Sequence, residues 1–369
     1  MREGWEYKNF ENCIVKSPKL KQVKKEAYNN GSQYPIISQE EKFISGYCDD
    51  ESIVCHIDRP IVVFGDHTRV LKYIDFDFVV GADGVKVIIP IKSIDSKFLL
   101  YFLQWYNIPN WGYSRHYKLL KDITVPIPHG TTQKTIVSEL DKLNELIQIK
   151  KEQLKDYDAL AQSIFYEMFG DPVVNEKGWE VKKLMEVCDV RDGTHDSPKY
   201  VESSNYMLIT SKNIVNRAIS FDDVNYITEE DYNNINKRSK VDNGDILMPM
   251  IGTIGNPVIV YLDNLHKFSI KNVALIKFLH NTSILNRYLL ELMISESFRR
   301  YLLSLNKGGT QKFVALGTIR RMDIILPPLP LQHSFAQKIE QIEQQKAAIQ
   351  KTITDLETLL AARMQYWFD

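Results

Sequence analysis

The sequence has 369 residues, a length that predicts roughly two to three domains, each large enough to bury a core. Its 46 lysine and arginine residues nearly balance 47 aspartate and glutamate residues, so the net charge of -1 excludes a bulk polycation but allows local basic surfaces. Because it lacks an apolar run of about 18 residues, an apolar N-terminal signal segment and a C-x-x-C pair, we expect a cytoplasmic protein without a membrane span, a disulfide framework or a zinc site.

The first 130 residues predict an α+β domain. Runs typical of strands lie at 61–64, 76–80 and 85–89. Glycine-containing turns separate these runs, and an apolar segment at 97–105 predicts a helix. Pro126 and Pro128 then mark an extended exit from the domain, because proline removes a backbone donor and restricts the residue before it.

A heptad pattern follows and predicts a helix over 131–170. Apolar residues recur at two of every seven positions, and this a/d pattern, kept over about four heptads, is typical of a coiled coil. The predicted interface residues of this helix are Ile136, Leu140, Leu143, Ile147 and Leu154. Gly170 and Pro172 supply a stop signal. The alternative is an amphipathic helix that packs on the core of one domain.

The second half of the chain repeats the first. Gly4-Trp5-Glu6 recurs as Gly178-Trp179-Glu180, and a glutamine follows each proline exit, at Gln133 and, 199 positions later, at Gln332. The heptads stay in phase at that offset. They give a second set of predicted interface residues: Ile339, Ile342, Ile349, Ile353, Leu356 and Leu360.

This duplication predicts four segments. They are a domain over 1–130, a helix over 131–170, a second domain over 171–330 and a second helix over 331–369. Two long helices in one chain most simply pair with each other. We therefore expect an antiparallel pair that joins two similar α+β domains and gives the chain a pseudo-two-fold axis.

The sequence offers little for catalysis. His195 follows Asp192, but no second histidine stands at helical spacing and no cysteine lies nearby, which disfavours a metal ligand set. The segment 107–111 faintly resembles the Asn-Pro-Pro-aromatic motif of amino-methyltransferases, yet it lacks the adjacent prolines and no glycine-rich cofactor loop accompanies it. We expect a chain that is not an enzyme and that carries no metal or cofactor of its own.

Polar and basic loops recur at equivalent places in the two halves and suit nucleic acid. Arginine, lysine, asparagine and glutamine can read base edges, and smaller polar groups hold phosphates. The predicted DNA-binding residues are His67, Thr68, Arg69, Tyr113, Ser114, Arg115, His116, Lys118, Lys212, Asn213, Thr253, Asn256, Thr310, Gln311 and Lys312. In the Gly308-Gly309 loop, backbone amides can approach a phosphate, with Lys312 as the counter-charge. Taken singly, each segment is also compatible with an ordinary solvated loop.

Several motifs together resemble the specificity subunit of a type I restriction-modification enzyme. They are the two Gly-Trp-Glu starts, Asp192-Gly193-Thr194-His195, Gly244-Asp245-Ile246-Leu247, Gly252-Thr253-Ile254-Gly255 and Gly308-Gly309-Thr310-Gln311. The resemblance implies two target-recognition domains that each read one half of a bipartite site in double-stranded DNA. It also implies that the helices set the spacing and dock two methyltransferase subunits, which carry S-adenosylmethionine, and it leaves open whether restriction subunits join.

Three other functions stay open at this point. One is the specificity component of a type II-like or orphan methyltransferase system. Another is a self-contained DNA methyltransferase, which would need a cofactor loop and a catalytic motif. The last is a coiled-coil scaffold that binds only proteins, in which case the basic loops would be incidental.

Overall fold

A computed structural model gives the fold for residues 2–17, 20–29, 33–81, 84–112, 114–215, 217–252, 254–263, 265–279, 282–305 and 313–369. The chain forms two compact units. Unit 1 contains residues 1–152 and 349–369, and unit 2 contains residues 153–348.

Unit 1 combines short strands with helices. In chain order its elements are β1 (Glu6–Asn9), β2 (Ile14–Val15), β3 (Gln22–Val23), β4 (Tyr34–Ile37), β5 (Gly46–Cys48), β6 (Val54–Cys55), β7 (Ile61–Gly65), β8 (Leu71–Ile74), β9 (Phe78–Gly81), β10 (Val85–Pro90), α1 (Ser96–Tyr106), α2 (Tyr117–Leu120), β11 (Thr124–Ile127) and the first part of α3 (Gly130–Phe169). The Asp95 carboxylate accepts the N–H groups of Lys97 and Phe98 and thereby fixes the start of α1. Asn107 ends that helix in the left-handed conformation, at φ 46°.

Two sheets organise unit 1. Strands β2, β10, β7 and β8 form one sheet in that order, and β3, β9, β4 and β5 form the other, with β6 also paired to β9. Strand β1 pairs with β11 so that Glu6 lies opposite Ile127. Helix α1 packs on the first sheet, where Phe64 and Phe98 are buried in the main core. A second apolar cluster joins residues of both sheets.

Unit 2 begins within α3 and ends within the last helix. Its further elements are β12 (Glu180–Lys183), α4 (Leu184–Val187), β13 (Cys188–Asp192), β14 (Tyr200–Val201), β15 (Tyr206–Ile209), β16 (Ile214–Val215), β17 (Ala218–Ile219), β18 (Asn225–Ile227), α5 (Glu229–Ser239), β19 (Ile246–Pro249), β20 (Val258–Ile259), β21 (Lys267–Ile270), β22 (Val273–Phe278), α6 (Asn286–Ile294), α7 (Glu296–Ser304), α8 (Leu316–Arg320), β23 (Asp323–Leu326) and the first part of α9 (Leu329–Phe368).

The sheet order of unit 2 repeats that of unit 1. Strands β13, β22, β19 and β20 are neighbours in that order, as β2, β10, β7 and β8 are in unit 1. Strand β12 pairs with β23 so that Glu180 lies opposite Leu326, which repeats the pairing of β1 with β11. Unit 2 differs by the added helices α5, between β18 and β19, and α7, directly after α6. The two units are therefore diverged copies of one α+β fold.

A buried glutamine anchors the start of α3. The side-chain amide of Gln133 donates to the carbonyl oxygens of Ser93 and Pro128, both at 2.9 Å. Its side-chain oxygen accepts the N–H of Asp95 at 2.8 Å. The first turn of α3 is thereby tied to the loop that leads into α1.

Gln332 makes the same three bonds at the start of α9. It donates to Ser283 at 3.0 Å and to Pro327 at 2.8 Å, and it accepts the N–H of Leu285 at 2.8 Å. Because these contacts match those of Gln133 bond for bond, the two glutamines occupy equivalent places in the two copies.

The two long helices run antiparallel within each unit. In unit 1, Glu139 of α3 pairs with Arg363 of α9, and Lys151 pairs with Glu357 at 2.7 Å. In unit 2, Asp158 accepts a hydrogen bond from Lys346 at 2.9 Å, and later along α3 the ring of Phe169 packs on that of Phe335. In both units, residues with higher numbers in α3 contact residues with lower numbers in α9, which is the pattern of antiparallel helices.

The predicted heptad residues are buried or half-buried, and Ile136, Leu140, Ile339 and Ile342 belong to the main cores of their units. In unit 1, the buried ones are Ile136, Leu140, Ile147, Ile349 and Ile353, and the half-buried ones are Leu143, Leu356 and Leu360. In unit 2, the buried ones are Ile339 and Ile342, and the half-buried one is Leu154. The predicted class, two similar α+β domains with two long antiparallel helices, is confirmed. The pseudo-two-fold axis and the functional assignment of the four segments stay predictions.

Candidate nucleic-acid interface

In unit 1, three loops meet at one end of the strands. They are the turn between β7 and β8, the segment before α2 and the loop after β4. The His67 ring nitrogen Nδ1 lies 3.2 Å from the carbonyl oxygen of Ser114, and the backbone N–H of His67 donates to Gln39 Oε1 at 3.1 Å. The structure thus brings together the two predicted DNA-binding segments of the first domain.

The predicted residues of this end differ in exposure. Thr68, Arg115 and Lys118 are exposed, whereas His67 and Ser114 are half-buried. Arg69 is half-buried, and its guanidinium donates to the carbonyl oxygen of Ile108 at 2.8 Å. Tyr113 lies outside the described residues. Arg115 and Lys118 are therefore the exposed cations among the predicted residues of this end.

The structure corrects the prediction for His116. This side chain is fully buried, and its Nδ1 donates to the carbonyl oxygen of Asp66 at 3.0 Å while its Nε2 accepts the N–H of Trp111 at 3.1 Å. The Asp66 carboxylate also accepts the N–H of Tyr117 at 2.8 Å. His116 therefore holds the loops together from inside, and its buried side chain offers no surface for a contact with DNA in this structure.

Unit 2 has an equivalent group of loops at the corresponding end of its strands. The turn between β19 and β20 meets the segment before α8, since the N–H of Val314 donates to Met250 at 3.0 Å and Ile251 bridges to Phe313. Asn256 in that turn is exposed. Four predicted residues of these loops, Thr253, Thr310, Gln311 and Lys312, lie outside the described residues.

The loop after β15 carries the other predicted pair. Lys212 is exposed and lies 3.1 Å from the Asp223 carboxylate. Asn213 is buried: its Oδ1 accepts the N–H of Thr210 at 3.0 Å and its Nδ2 donates to the carbonyl oxygen of Asp223 at 2.9 Å. The prediction that Asn213 touches DNA is therefore corrected, because both ends of its amide fix the loop.

A polar network in unit 2 was missed from the sequence. Asp192 at the end of β13 is buried, and one of its carboxylate oxygens lies 2.6 Å from His195 Nε2 while the other binds Arg238 of α5. His195 Nδ1 lies 3.0 Å from Asn272 Oδ1. Hydrogen bonds to Asp192 and then to Asn272 raise the pKa of His195.

This network is not evident from the sequence, because two of its four residues lie far along the chain from the other two. Asp192 and His195 are close neighbours, but Arg238 and Asn272 come from α5 and from the turn between β21 and β22, and no local motif links them. Among the described residues, no three histidine, cysteine, aspartate or glutamate side chains group closely enough to hold a metal ion. The arrangement places His195 and Arg238 on the two oxygens of one buried carboxylate.

The long helices also expose apolar side chains. In unit 1, Leu146 and Ile149 of α3 are 44% and 52% exposed, and Leu359 of α9 is 46% exposed. These residues lie off the seam between the helices. No helix within the described part of the chain has the length and apolarity to cross a membrane.

A family model and curated relatives match this chain. The model of the type I restriction modification DNA specificity domain matches residues 3–156 and 176–358. The specificity subunit of the type I restriction enzyme MjaIX from Methanocaldococcus jannaschii is 24% identical over 306 residues, which cover 75% of this chain and 69% of that protein. The MjaVIII specificity subunit of the same organism is 24% identical over 243 residues, 61% of this chain and 56% of that protein.

Solved structures share the fold. The S subunit of a type I restriction-modification system from M. genitalium superposes with a TM-score of 0.56 at 12% identity, covering 99% of this chain and 96% of that chain. A chain from a structure on complex assembly and conformational transition of the type I R-M system superposes with a TM-score of 0.57 at 16% identity, covering 100% and 98%. Because the family model matches both halves, the chain belongs to the family of type I restriction-modification DNA specificity subunits, and the prediction of a DNA-binding subunit that is not itself an enzyme is confirmed.

Proposed function

We propose that this chain reads a bipartite site in double-stranded DNA, with one half-site for each unit. The observation that carries the proposal is the pair of equivalent loop ends, which the same strands build in both units. A repeated scaffold with changed loops is what two recognition modules for different sequences require, because loops carry specificity while the scaffold holds them.

The two ends offer different chemistry at equivalent positions. The turn between β7 and β8 holds His67, Thr68 and Arg69, whereas the turn between β19 and β20 holds Asn256 and no charged residue among those described. Arginine commonly pairs with guanine and asparagine with adenine in the major groove. Different half-sites are therefore expected for the two units.

The paired helices set the distance between the half-sites in this proposal. Ion pairs such as Lys151 with Glu357 and Glu139 with Arg363 fix the register of the two helices, so the spacer has a defined length. Their exposed apolar residues, Leu146, Ile149 and Leu359, would dock methyltransferase subunits, two per chain, in the cytoplasm. Those subunits would bind S-adenosylmethionine and methylate adenine, while this chain contributes recognition alone.

A domain exchange tests the proposal. Residues 171–330 are replaced with the corresponding segment of a relative, and the chain is expressed with its methyltransferase partner. Methylation mapping by long-read sequencing should show one half-site changed, with the other half-site and the gap kept. Simultaneous change of both half-sites would contradict separate reading. Methyl transfer by the purified chain alone, measured with labelled S-adenosylmethionine, would contradict the claim that this chain contributes recognition alone.

A further inference from the structure

A cleft in unit 2 collects more positive than negative side chains. Its charged lining consists of Asp189, Arg191, Asp192, His195, Lys237, Arg238 and Arg320. Asp189 neutralises Arg191 at 2.6 Å. Lys237 and Arg320 hydrogen bond to neutral oxygen atoms, so their charges are not cancelled by those bonds. The resulting excess of positive charge favours an anion.

Asp192 positions two of these cations. Arg238 from α5 and His195 from the loop after β13 bind opposite oxygens of the same carboxylate. Asp192 is only 7% exposed, while the side chains of Arg238 and His195 are 64% and 58% exposed. The buried carboxylate therefore fixes both side chains and leaves their outer edges accessible, which is how a preorganised anion site is built.

The contacts of His195 favour its charged form. Both ring nitrogens face oxygen acceptors, Asp192 Oδ2 at 2.6 Å and Asn272 Oδ1 at 3.0 Å. An imidazole ring donates from both nitrogens only when it is protonated. Since the pKa of His195 is raised, its positive charge is present below that pKa and is lost as the pH rises through it.

Other charged groups surround His195. They are Asp192 and Asp196 in the same chain segment, Lys199, Asp231, Lys237 and Arg238 on the side of α5, Lys271 in the turn before β22, and Arg320 on α8. Ordinary aspartate, lysine and arginine pKa values lie far from neutrality. Histidine is the side chain whose ordinary pKa lies nearest to neutrality, and His195 is the histidine of this cleft.

The cleft adjoins a predicted DNA-binding loop. The N–H of Lys271 donates to the carbonyl oxygen of Ile209 at 2.9 Å, and the N–H of Thr194 donates to Ile270 at 3.0 Å. The loop after β15, with exposed Lys212, starts directly after Ile209. Cleft and loop are therefore neighbours within unit 2.

We infer that the Asp192 network is a clamp for backbone phosphates of the DNA that unit 2 reads, with Arg238 and His195 supplying the charge and Asp192 acting as the positioning residue. This inference rests on the proposed function. It assigns the network to holding the duplex in register, since phosphate contacts orient a protein on DNA and carry no sequence information.

Binding of the full chain to a random-sequence DNA duplex tests the clamp, because a phosphate contact does not depend on sequence. Arg238→Gln should weaken binding by about tenfold. It should also make the plot of log affinity against log salt concentration less steep, by about 1 in the magnitude of the slope. Arg300→Gln is the matched control, since Arg300 is an exposed arginine of α7, 72% exposed, that does not line the cleft. The control should bind like the original chain.

The pH dependence supplies a second readout. The original chain should bind progressively more weakly as the pH rises through the raised pKa of His195, because His195 loses its charge there. His195→Gln should bind more weakly below that pKa and should lose most of this dependence. Circular dichroism of each variant establishes that the fold is kept, which the exposure of both side chains favours.

Each failure has its own signature. If the original chain does not bind duplex DNA even at low salt, the proposed function falls, and the clamp falls with it. If the chain binds but Arg238→Gln matches Arg300→Gln, only the clamp is overturned. If the Arg238→Gln complex methylates a different sequence, Arg238 reads a base, and the phosphate assignment is wrong.

Discussion

Gln133 and Gln332 show how one residue can define the start of a long helix. Each side chain is essentially fully buried, at 1% and 0% exposure, and each uses both its amide donor and its oxygen. A buried amide is costly unless its polar groups are bonded, and these three bonds satisfy it. The glutamine thereby couples the proline exit, the loop before the domain helix and the first turn of α3 or α9.

Gln332→Ala should lower the free energy of unfolding by about 3 kcal/mol, because the N–H of Leu285 and the carbonyl groups of Ser283 and Pro327 lose their side-chain partner in a buried place. Urea unfolding followed by tryptophan fluorescence measures the change. Gln344→Ala, at an exposed position of the same helix, is the control and should change stability by less than about 0.5 kcal/mol. Equal effects of the two substitutions would show that the buried bonds do not matter.

The site could be predicted only in part at the scale of residues. Loop composition located the turn at His67–Arg69 and the segment before α2, and the structure brings these together. Composition could not separate an exposed polar side chain from one that holds a loop from inside, and His116 and Asn213 are of the second kind. The Asp192 network escaped because Arg238 and Asn272 lie far from Asp192 and His195 in sequence.

The ends of the long helices carry the aromatic contacts that complete each unit. At the end of α3, Phe169 packs on Tyr288 of α6, with ring centroids 4.8 Å apart. At the end of α9, Phe368 packs on Phe98 of α1 at 5.6 Å. Each unit therefore contains the start of one long helix and the end of the other, and both parts cover its core.

Phe368→Ala should destabilise unit 1 by about 3 kcal/mol, since it empties a buried aromatic site against α1. Leu359→Ala removes an apolar side chain from an exposed face of the same helix and should leave stability nearly unchanged. Thermal unfolding of both variants makes the comparison. Comparable losses of stability would indicate that the end of α9 does not pack on unit 1 in solution.

The sequence could predict the elements in which apolar residues recur at a regular spacing. The heptads predicted helices at 131–170 and 331–369, and the structure has Gly130–Phe169 and Leu329–Phe368. Pro330 lies in the first turn of α9, where the missing N–H costs no helical bond, so proline alone could not fix that boundary. Strands β3 and β6 have two residues each, and α5 is strongly polar. None of these three elements therefore shows a periodic pattern of apolar residues in the sequence.

For the whole molecule, the paired helices act as a spacer in the proposed function. The pair of Lys151 with Glu357 joins positions at one level of the two helices. Heptads added next to this pair in both helices keep every other contact in phase, because seven residues return the apolar seam to nearly the same face. The spacer can therefore be lengthened while the apolar seam stays on nearly the same face of each helix.

Insertion of one heptad after Lys151 and one before Glu357 lengthens the spacer by about 10 Å. At about 3.4 Å per base pair, the unread gap of the methylated site should widen by roughly three base pairs, with both half-sites unchanged. Methylation mapping measures the gap. Insertion in α3 alone is the control and should abolish methylation, since it breaks the pairing; an unchanged gap after the double insertion would refute the spacer role.

The division of unit 1 between residues 1–152 and residues 349–369 has a consequence for synthesis on the ribosome. Its strands are translated before unit 2, yet the face of α3 that contains Ile136 and Leu140 waits for Phe368 and its neighbours, which are translated after unit 2. Unit 2 is one continuous segment and can close earlier. A chain that stops before residue 349 would thus lack Phe368 and leave the apolar face around Ile136 and Leu140 uncovered.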